Sequence, residues 1–211
     1  MFRASSGTFL YILVYLYCMK RIGFISIILL SLTFLSSRVY YEPGLIIGPE
    51  TRLTIHGQTN VNSFKCQLGS YNNADTLSYT TDDDGCMLFF KPNKMNIPVT
   101  SFDCASKLIN KDFHEVLKAD KYPYVQIQFV ALERWTGEPN VGGTAYITLA
   151  GITKPFTIHY QVNSTQKLLL LKGQQKIAFS DFGLVAPEKM MGLIKVQDNL
   201  QVEFHLALRV I

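Results

Sequence analysis

Three kinds of residue in this chain could do chemistry: cysteines, histidines and clustered carboxylates. Three of the four cysteines, Cys66, Cys86 and Cys104, fall in the body of the chain. No C-x-x-C spacing and no matching histidine pair accompanies them, so zinc is the weaker reading and oxidation the stronger. In an exported chain, an odd count implies one disulfide and one leftover thiol. Phe64-Lys65-Cys66 and Phe102-Asp103-Cys104 are similar settings, which favours the pair Cys66–Cys104 over Cys66–Cys86. That closure would contribute about 4 kcal/mol in the chain-entropy account. In a reducing compartment all three would instead be plain core residues.

The other candidates read as surface or turn. His56, His159 and His205 fall on the polar faces of strand-like segments, and a metal would need two or three of them to converge. His114, between Asp112 and Glu115, reads as a solvated helix face. No metal site is assigned. Asp82-Asp83-Asp84-Gly85 lacks the spaced ligands and closing Glu of a calcium loop and reads as a hairpin turn. Asp181-Phe182-Gly183 matches a kinase tripeptide, but no Gly-rich loop or His-Arg-Asp loop accompanies it. Its glycine suits a turn with positive φ. No serine sits in a G-x-S-x-G elbow, and Asn163-Ser164-Thr165 reads as a glycosylation pattern or an ordinary turn. No catalytic residue is assigned and no enzyme is expected. An enzyme using the histidines or carboxylates is kept as a rival class.

What would position these residues is mostly strand. From Met1 to Leu35 there is no acid, and Leu, Ile, Phe and Tyr are dense. Residues 1–37 read as leader, with a signal peptide starting at Met19: Lys20 and Arg21, then an apolar run Ile22 to Leu35, then Ser36 and Ser37. That run is short of the roughly 20 residues of a membrane span, so no stable span is expected after cleavage. Removing Arg3, Lys20 and Arg21 lowers the formal charge from +4 to +1. No basic cluster remains, and nucleic acid is excluded as a partner. Residues 38–50 read as a linker, broken by Pro43, Gly44, Gly48 and Pro49.

The remaining 51–211 read as one domain. Arg52 to His56 and Asn62 to Leu68 alternate as strands. Leu77 to Thr81 and Cys86 to Lys91 form a hairpin around Asp84-Gly85, a type I′ dipeptide. Met95 to Phe102 is a strand with Pro98 at an edge or bulge. Ser106 to Ala119 has helical period, with Ile109, Phe113, Val116 and Leu117 on one face and Lys111, Asp112, Glu115 and Lys118 facing away. Ser106 can cap it, and Tyr122-Pro123 ends it. Clear alternation then marks Val125 to Ala131, Thr144 to Leu149, Phe156 to Val162 and Val202 to Val210, and Ile177 and Phe179 follow a leucine-rich strand Lys167 to Leu171. Serial strands with one apolar face pair antiparallel, and closing them into a barrel removes the edges. The fold class is all-β: an antiparallel barrel with one short helix over a mouth.

On these residues the chain resembles the YceI-like domain family. Lys111-Asp112-Phe113 through Tyr122-Pro123 and Ile127-Phe129 resemble its helix, Tyr-Pro and strand signature. Leu149-Ala150-Gly151-Ile152-Thr153-Lys154-Pro155 resembles its hairpin. Ser180-Asp181-Phe182-Gly183-Leu184, with Gly192, Ile194, Val196 and Asp198, resembles its C-terminal signature. The opening Leu53 to Gln67 departs from the family pattern. The resemblance implies an extended lipocalin-like barrel over about 51–211, export to the periplasm or secretion, and a long-chain isoprenoid, isoprenoid quinone or related lipid held inside. No cofactor is otherwise implied, and a homodimer is left open. The candidate lining is Phe129, Ile147, Phe156, Ile158, Phe179, Phe204 and Leu206. The competing class is a filled barrel that binds a protein or surface partner and holds no small molecule, with those residues simply core.

Overall fold

The computed structural model describes residues 43–165 and 168–210. The expected leader, its start at Met19 and the first part of the linker lie outside the described residues. The strands are β1 (Gly44–Ile47), β2 (Arg52–Gln58), β3 (Ser63–Leu68), β4 (Thr76–Thr81), β5 (Met87–Phe90), β6 (Met95–Pro98) and β7 (Phe102–Asp103). The helix α1 (Lys107–Val116) follows. Then come β8 (Tyr124–Glu133), β9 (Asn140–Leu149), β10 (Ile152–Thr165), β11 (Leu168–Ala178), β12 (Glu188–Lys189), β13 (Ile194–Lys195) and β14 (Asn199–Val210).

Eight strands close an antiparallel ring in the order β1-β4-β5-β8-β9-β10-β11-β14, with β14 returning to β1. The segment expected to be a linker thus contains a barrel strand. A four-residue strand carries no readable period, and β1 forms because β14 and β4 offer it a ladder on each side. β14 serves two neighbours along one edge: residues 208–210 pair β1, and residues 201–205 pair β2. Where it changes partner, the Ala207 peptide would be left unpaired. Gly48 N–H donates to Ala207 O at 2.7 Å, and Ala207 N–H donates to the buried Thr51 hydroxyl at 3.1 Å. Both polar groups are therefore satisfied inside the protein.

β8 makes the same exchange, pairing β5 through residues 131–133 and β6 through 124–127. On its other edge, against β9, the strand carries a bulge between Phe129 and Ala131. The bulge shifts the inward face, so Leu132 is buried where the alternation predicted Ala131. In this lower half β2-β3-β7 hangs from β14 and β6 hangs from β8. The 3-10 turn Val99–Ser101 spans the gap between them. Gly69 N–H bonds Ser101 O, and Val99 N–H bonds Pro123 O.

Several turns differ from the sequence reading. The β4–β5 connection is not type I′: Gly85 alone has positive φ, and its N–H reaches Asp82 O. The two-residue I′ turn is Ala150-Gly151, between β9 and β10, with φ 46° and 82°. Gly151 is required there twice over, because a Cβ would meet the Tyr122 ring at 2.7 Å. Pro155 is tolerated within β10 because β11 pairs only from Tyr160 onward, leaving that stretch an edge. Ser106 makes no side-chain cap; Asn110 reaches back instead, accepting from Cys104 N–H at 2.7 Å.

The barrel interior is the core. β14 sends Leu200, Val202, Phe204, Leu206 and Leu208 inward, and Ile147, Ile158, Tyr160, Leu171 and Ile177 face them. α1 lies over the lower end, with Leu117 buried and Phe113 packed against Phe102 at 5.4 Å between ring centroids.

Candidate functional site

Among the described residues the interior holds two small chambers. The lower one, beneath α1, holds about 50 Å³. Leu53, Phe102, Phe113, Ile127, Ile147, Phe179, Phe182, Val202 and Phe204 are among its walls, and every lining residue is apolar. The upper one, near β1 and β4, holds about 10 Å³, room for about one water. Phe90, Phe129, Leu132, Tyr160 and Leu206 line it. Tyr160 stacks over Gly173, where a Cβ would come within 2.7 Å of its ring. Burial raises the Tyr160 phenol well above its ordinary range.

A third space opens outward. A groove of about 500 Å³ runs between α1, the β2–β3 hairpin and the β12–β13 hairpin. Leu108, Ile109, Phe113, Val116, Phe64, Pro187, Met190, Ile194 and Val196 line it. Ile55, Phe113, Phe179 and Leu200 line both the groove and the lower chamber. A side chain's width thus separates the groove from the barrel interior.

The small hairpin is held in place by polar contacts. Asn60 Nδ2 donates to Leu193 O, and Asn60 Oδ1 accepts from Lys195 N–H. Lys189 Nζ bonds Asp112 Oδ1 at 2.7 Å. That bond raises the Lys189 ammonium above its ordinary value. The helix face expected to point away therefore does so only in part: the Asp112 side chain is 15% exposed because the hairpin packs beside it. Between β12 and β13 the turn residues Met190 and Met191 have φ 53° and 54°, and Gly192 has φ 85°. Left-handed backbone at two successive methionines costs roughly 1–2 kcal/mol per residue.

The sequence-predicted lining divides among these spaces. Ile147, Phe179 and Phe204 line the lower chamber; Phe129 and Leu206 line the upper. Phe156 and Ile158 line neither. Ile158 is buried between strands, and Phe156 is half-buried, stacked on Phe182 at 6.2 Å. Of the groove residues only Phe179 was on that list. Ile109, Phe113 and Val116 had a signal in the helical period of the sequence, but the β12–β13 hairpin that faces them is two residues per strand and has none.

The chemistry-bearing residues are held apart. Cys66 and Cys104 form a disulfide joining β3 to the segment between β7 and α1, and Cys86 is a free, exposed thiol. His56 and His205 lie on the outer wall, where His56 Nε2 is 3.5 Å from Glu203, which also meets Lys172 at 3.7 Å. The Gln174 amide, followed by His56 and Lys172, holds Glu203 below its usual range. His159 lies on β10, opposite Gly142. Among the described residues no three His, Cys, Asp or Glu side chains gather as a metal site. His114 Nε2 is buried without a partner. Asp181 accepts from Ala178 N–H, and Ser180 bonds Asp198, so the Ser-Asp-Phe-Gly segment serves to set Phe182 in the chamber wall. Among the described residues no helix is long and apolar enough to cross a membrane.

Comparison with known proteins agrees with this architecture. The profile of the YceI-like domain matches residues 78–208. The structure is similar to that of Burkholderia cenocepacia BcnA, with TM-score 0.57 and 20% identity over 75% of this chain and 96% of that one. It is also similar to a polyisoprenoid binding domain from Saccharophagus degradans implicated in plant cell wall breakdown. There the TM-score is 0.57 at 12% identity, over 78% of this chain and 97% of that one. At these identities the likeness is one of fold. None of the curated proteins compared with the chain matches it.

Proposed function

The chain belongs to the YceI-like domain family, and from that premise we propose that it is a non-catalytic carrier or scavenger of a long-chain isoprenoid, isoprenoid quinone or related lipid, acting in the periplasm or after secretion. The observation that carries this reading is the apolar path from the open groove, past Phe113 and Phe179, into the lower chamber. Such walls take up a tail by removing it from water, at about 0.8 kcal/mol per CH₂. At about 500 Å³ the groove falls in the range of small-molecule sites, roughly 300–1,000 Å³. The chambers do not, so a tail entering the barrel must displace the Phe113 and Phe179 rings. The polyisoprenoid-binding name of the Saccharophagus domain supports the ligand class. The leader pattern and the Cys66–Cys104 disulfide support an oxidising compartment.

The small enclosed volumes favour a second reading, in which the barrel is filled and its loops bind a protein or surface partner. Native mass spectrometry after gentle purification separates the two. A co-purifying lipid of discrete mass supports the carrier. Protein that emerges clean and takes up no prenyl quinone refutes it. Phe204→Gln, placed in the lower chamber, is expected to lower lipid retention. Unchanged retention in a folded variant would exclude the chamber as the tail site.

A further inference from the structure

The groove is mostly apolar; Thr59, Asn62 and Ser63 of the β2–β3 hairpin are its uncharged polar lining residues. Among its lining residues only Asp112 and Lys189 carry charge, and they form an ion pair across the gap between α1 and β12. The pair sits at the outer end of the path that leads inward past Phe113, the next residue along the helix. Lys189 immediately precedes the left-handed Met190-Met191 turn, and its ammonium is held by the 2.7 Å contact with Asp112.

We propose that the Asp112–Lys189 pair is a head-group subsite, and that it selects a lipid with an uncharged, hydrogen-bonding head, a quinone carbonyl or a prenol hydroxyl, over one with a diphosphate. The proposal rests on the isoprenoid reading above. An ammonium has three N–H donors. One goes to Asp112, which leaves two for a carbonyl or hydroxyl oxygen. The second Asp112 oxygen can accept from a hydroxyl. A diphosphate fares differently, because the Asp112 carboxylate already cancels the Lys189 charge. Neighbouring lysines are balanced in the same way: Lys111 by Glu115 at 3.7 Å and Lys195 by Glu188 at 3.1 Å. No guanidinium fork, the group best matched to phosphate, lines the groove. Of the described arginines, Arg52 bonds Pro49 O and Thr51 O, Arg134 bonds Gly85 O and Arg209 bonds Glu50, all away from the groove.

The test is competition between a polyprenol and the polyprenyl diphosphate of equal chain length, read by native mass spectrometry. The unmodified protein is expected to retain the prenol preferentially. Asp112→Asn leaves Lys189 uncompensated and should shift the ratio about tenfold toward the diphosphate, as expected for one unit charge at a screened, partly exposed site. The double variant Asp112→Lys, Lys189→Asp restores a neutral pair and should return the original preference, which a loss of packing alone would not do. Lys189→Met leaves the carboxylate alone and should reject the diphosphate further, so the proposal stays testable if Asp112→Asn fails to fold. Equal retention of both lipids by the unmodified protein, or a ratio that Asp112→Asn and Lys189→Met leave unchanged, overturns the head-group assignment and leaves tail binding intact. Retention of neither lipid by any form overturns both.

Discussion

Phe113→Ala separates a gated interior from a filled one. The Phe113 ring is half-buried, contacts Phe102, and forms part of the wall of both the groove and the lower chamber. A fully buried Phe→Ala substitution costs about 3–5 kcal/mol from lost transfer and the cavity left behind. Because one side of this ring faces the open groove, water can fill part of the space, and about 2 kcal/mol is expected. For a domain of this size each kcal/mol lowers Tm by about 2–4 °C, so the free variant should melt about 4–8 °C lower. The informative quantity is the shift with ligand. If the ring blocks the tail, its removal joins groove and chamber, and a saturating prenyl quinone should raise Tm more in the variant than in the unmodified protein. Scanning calorimetry with and without the quinone measures both. A variant that loses stability but gains no larger ligand shift would refute the gating argument. A variant with unchanged Tm would refute the packing assigned to Phe113.

Four further outcomes are expected. Reducing the Cys66–Cys104 disulfide, which spans 38 residues, should cost about 4 kcal/mol in urea unfolding, and Cys86→Ser should cost little, since that thiol is free and exposed. Gly151→Val should lower stability by about 2 kcal/mol or more in thermal melts, because it forces a branched residue to φ 82° and meets the Tyr122 ring. Met190→Asn with Met191→Gly should relieve the left-handed strain of the β12–β13 turn and slow amide exchange at Gly192 and Leu193. Glu203 has its folded pKa lowered by Gln174, His56 and Lys172, so its contribution is present above the ordinary carboxyl value of about 4.3 and is lost as pH falls below it. Glu203→Gln should therefore flatten the acid limb of the Tm–pH curve below the ordinary carboxyl value and leave its slope near neutral pH unchanged.

Period-2 alternation in β8, β9, β10 and β14 and the helical period of Ile109, Phe113 and Val116 made the barrel and its helix legible without coordinates. These signals are local: each records which side of one element meets water. The Cys66–Cys104 pairing was favoured by sequence context, and the described disulfide joins the same two residues. The lining was less legible. Alternation identifies inward residues, but it cannot say where along the axis each sits, so Phe129 and Leu206 were grouped with Phe204 although they line a different chamber. The bulge at Phe129/Ala131 moved the inward face by one residue, an effect of the pairing of β8 with β9 that the period of β8 alone does not record.

The sequence by itself determined an apolar-centred antiparallel barrel and a short helix. Those follow from side-chain period and residue type, which need no partner to be expressed. Only the tertiary structure decided that β1 closes the ring, that Thr51 satisfies the Ala207 peptide, and that Asp112 turns from a solvent-facing residue into half of an ion pair lining a groove. Each depends on segments far apart in the chain. Asp112 and Lys189 are 77 positions apart, and nothing between them marks the two as neighbours. Their meeting is set by how the barrel wall brings the β12–β13 hairpin back over α1.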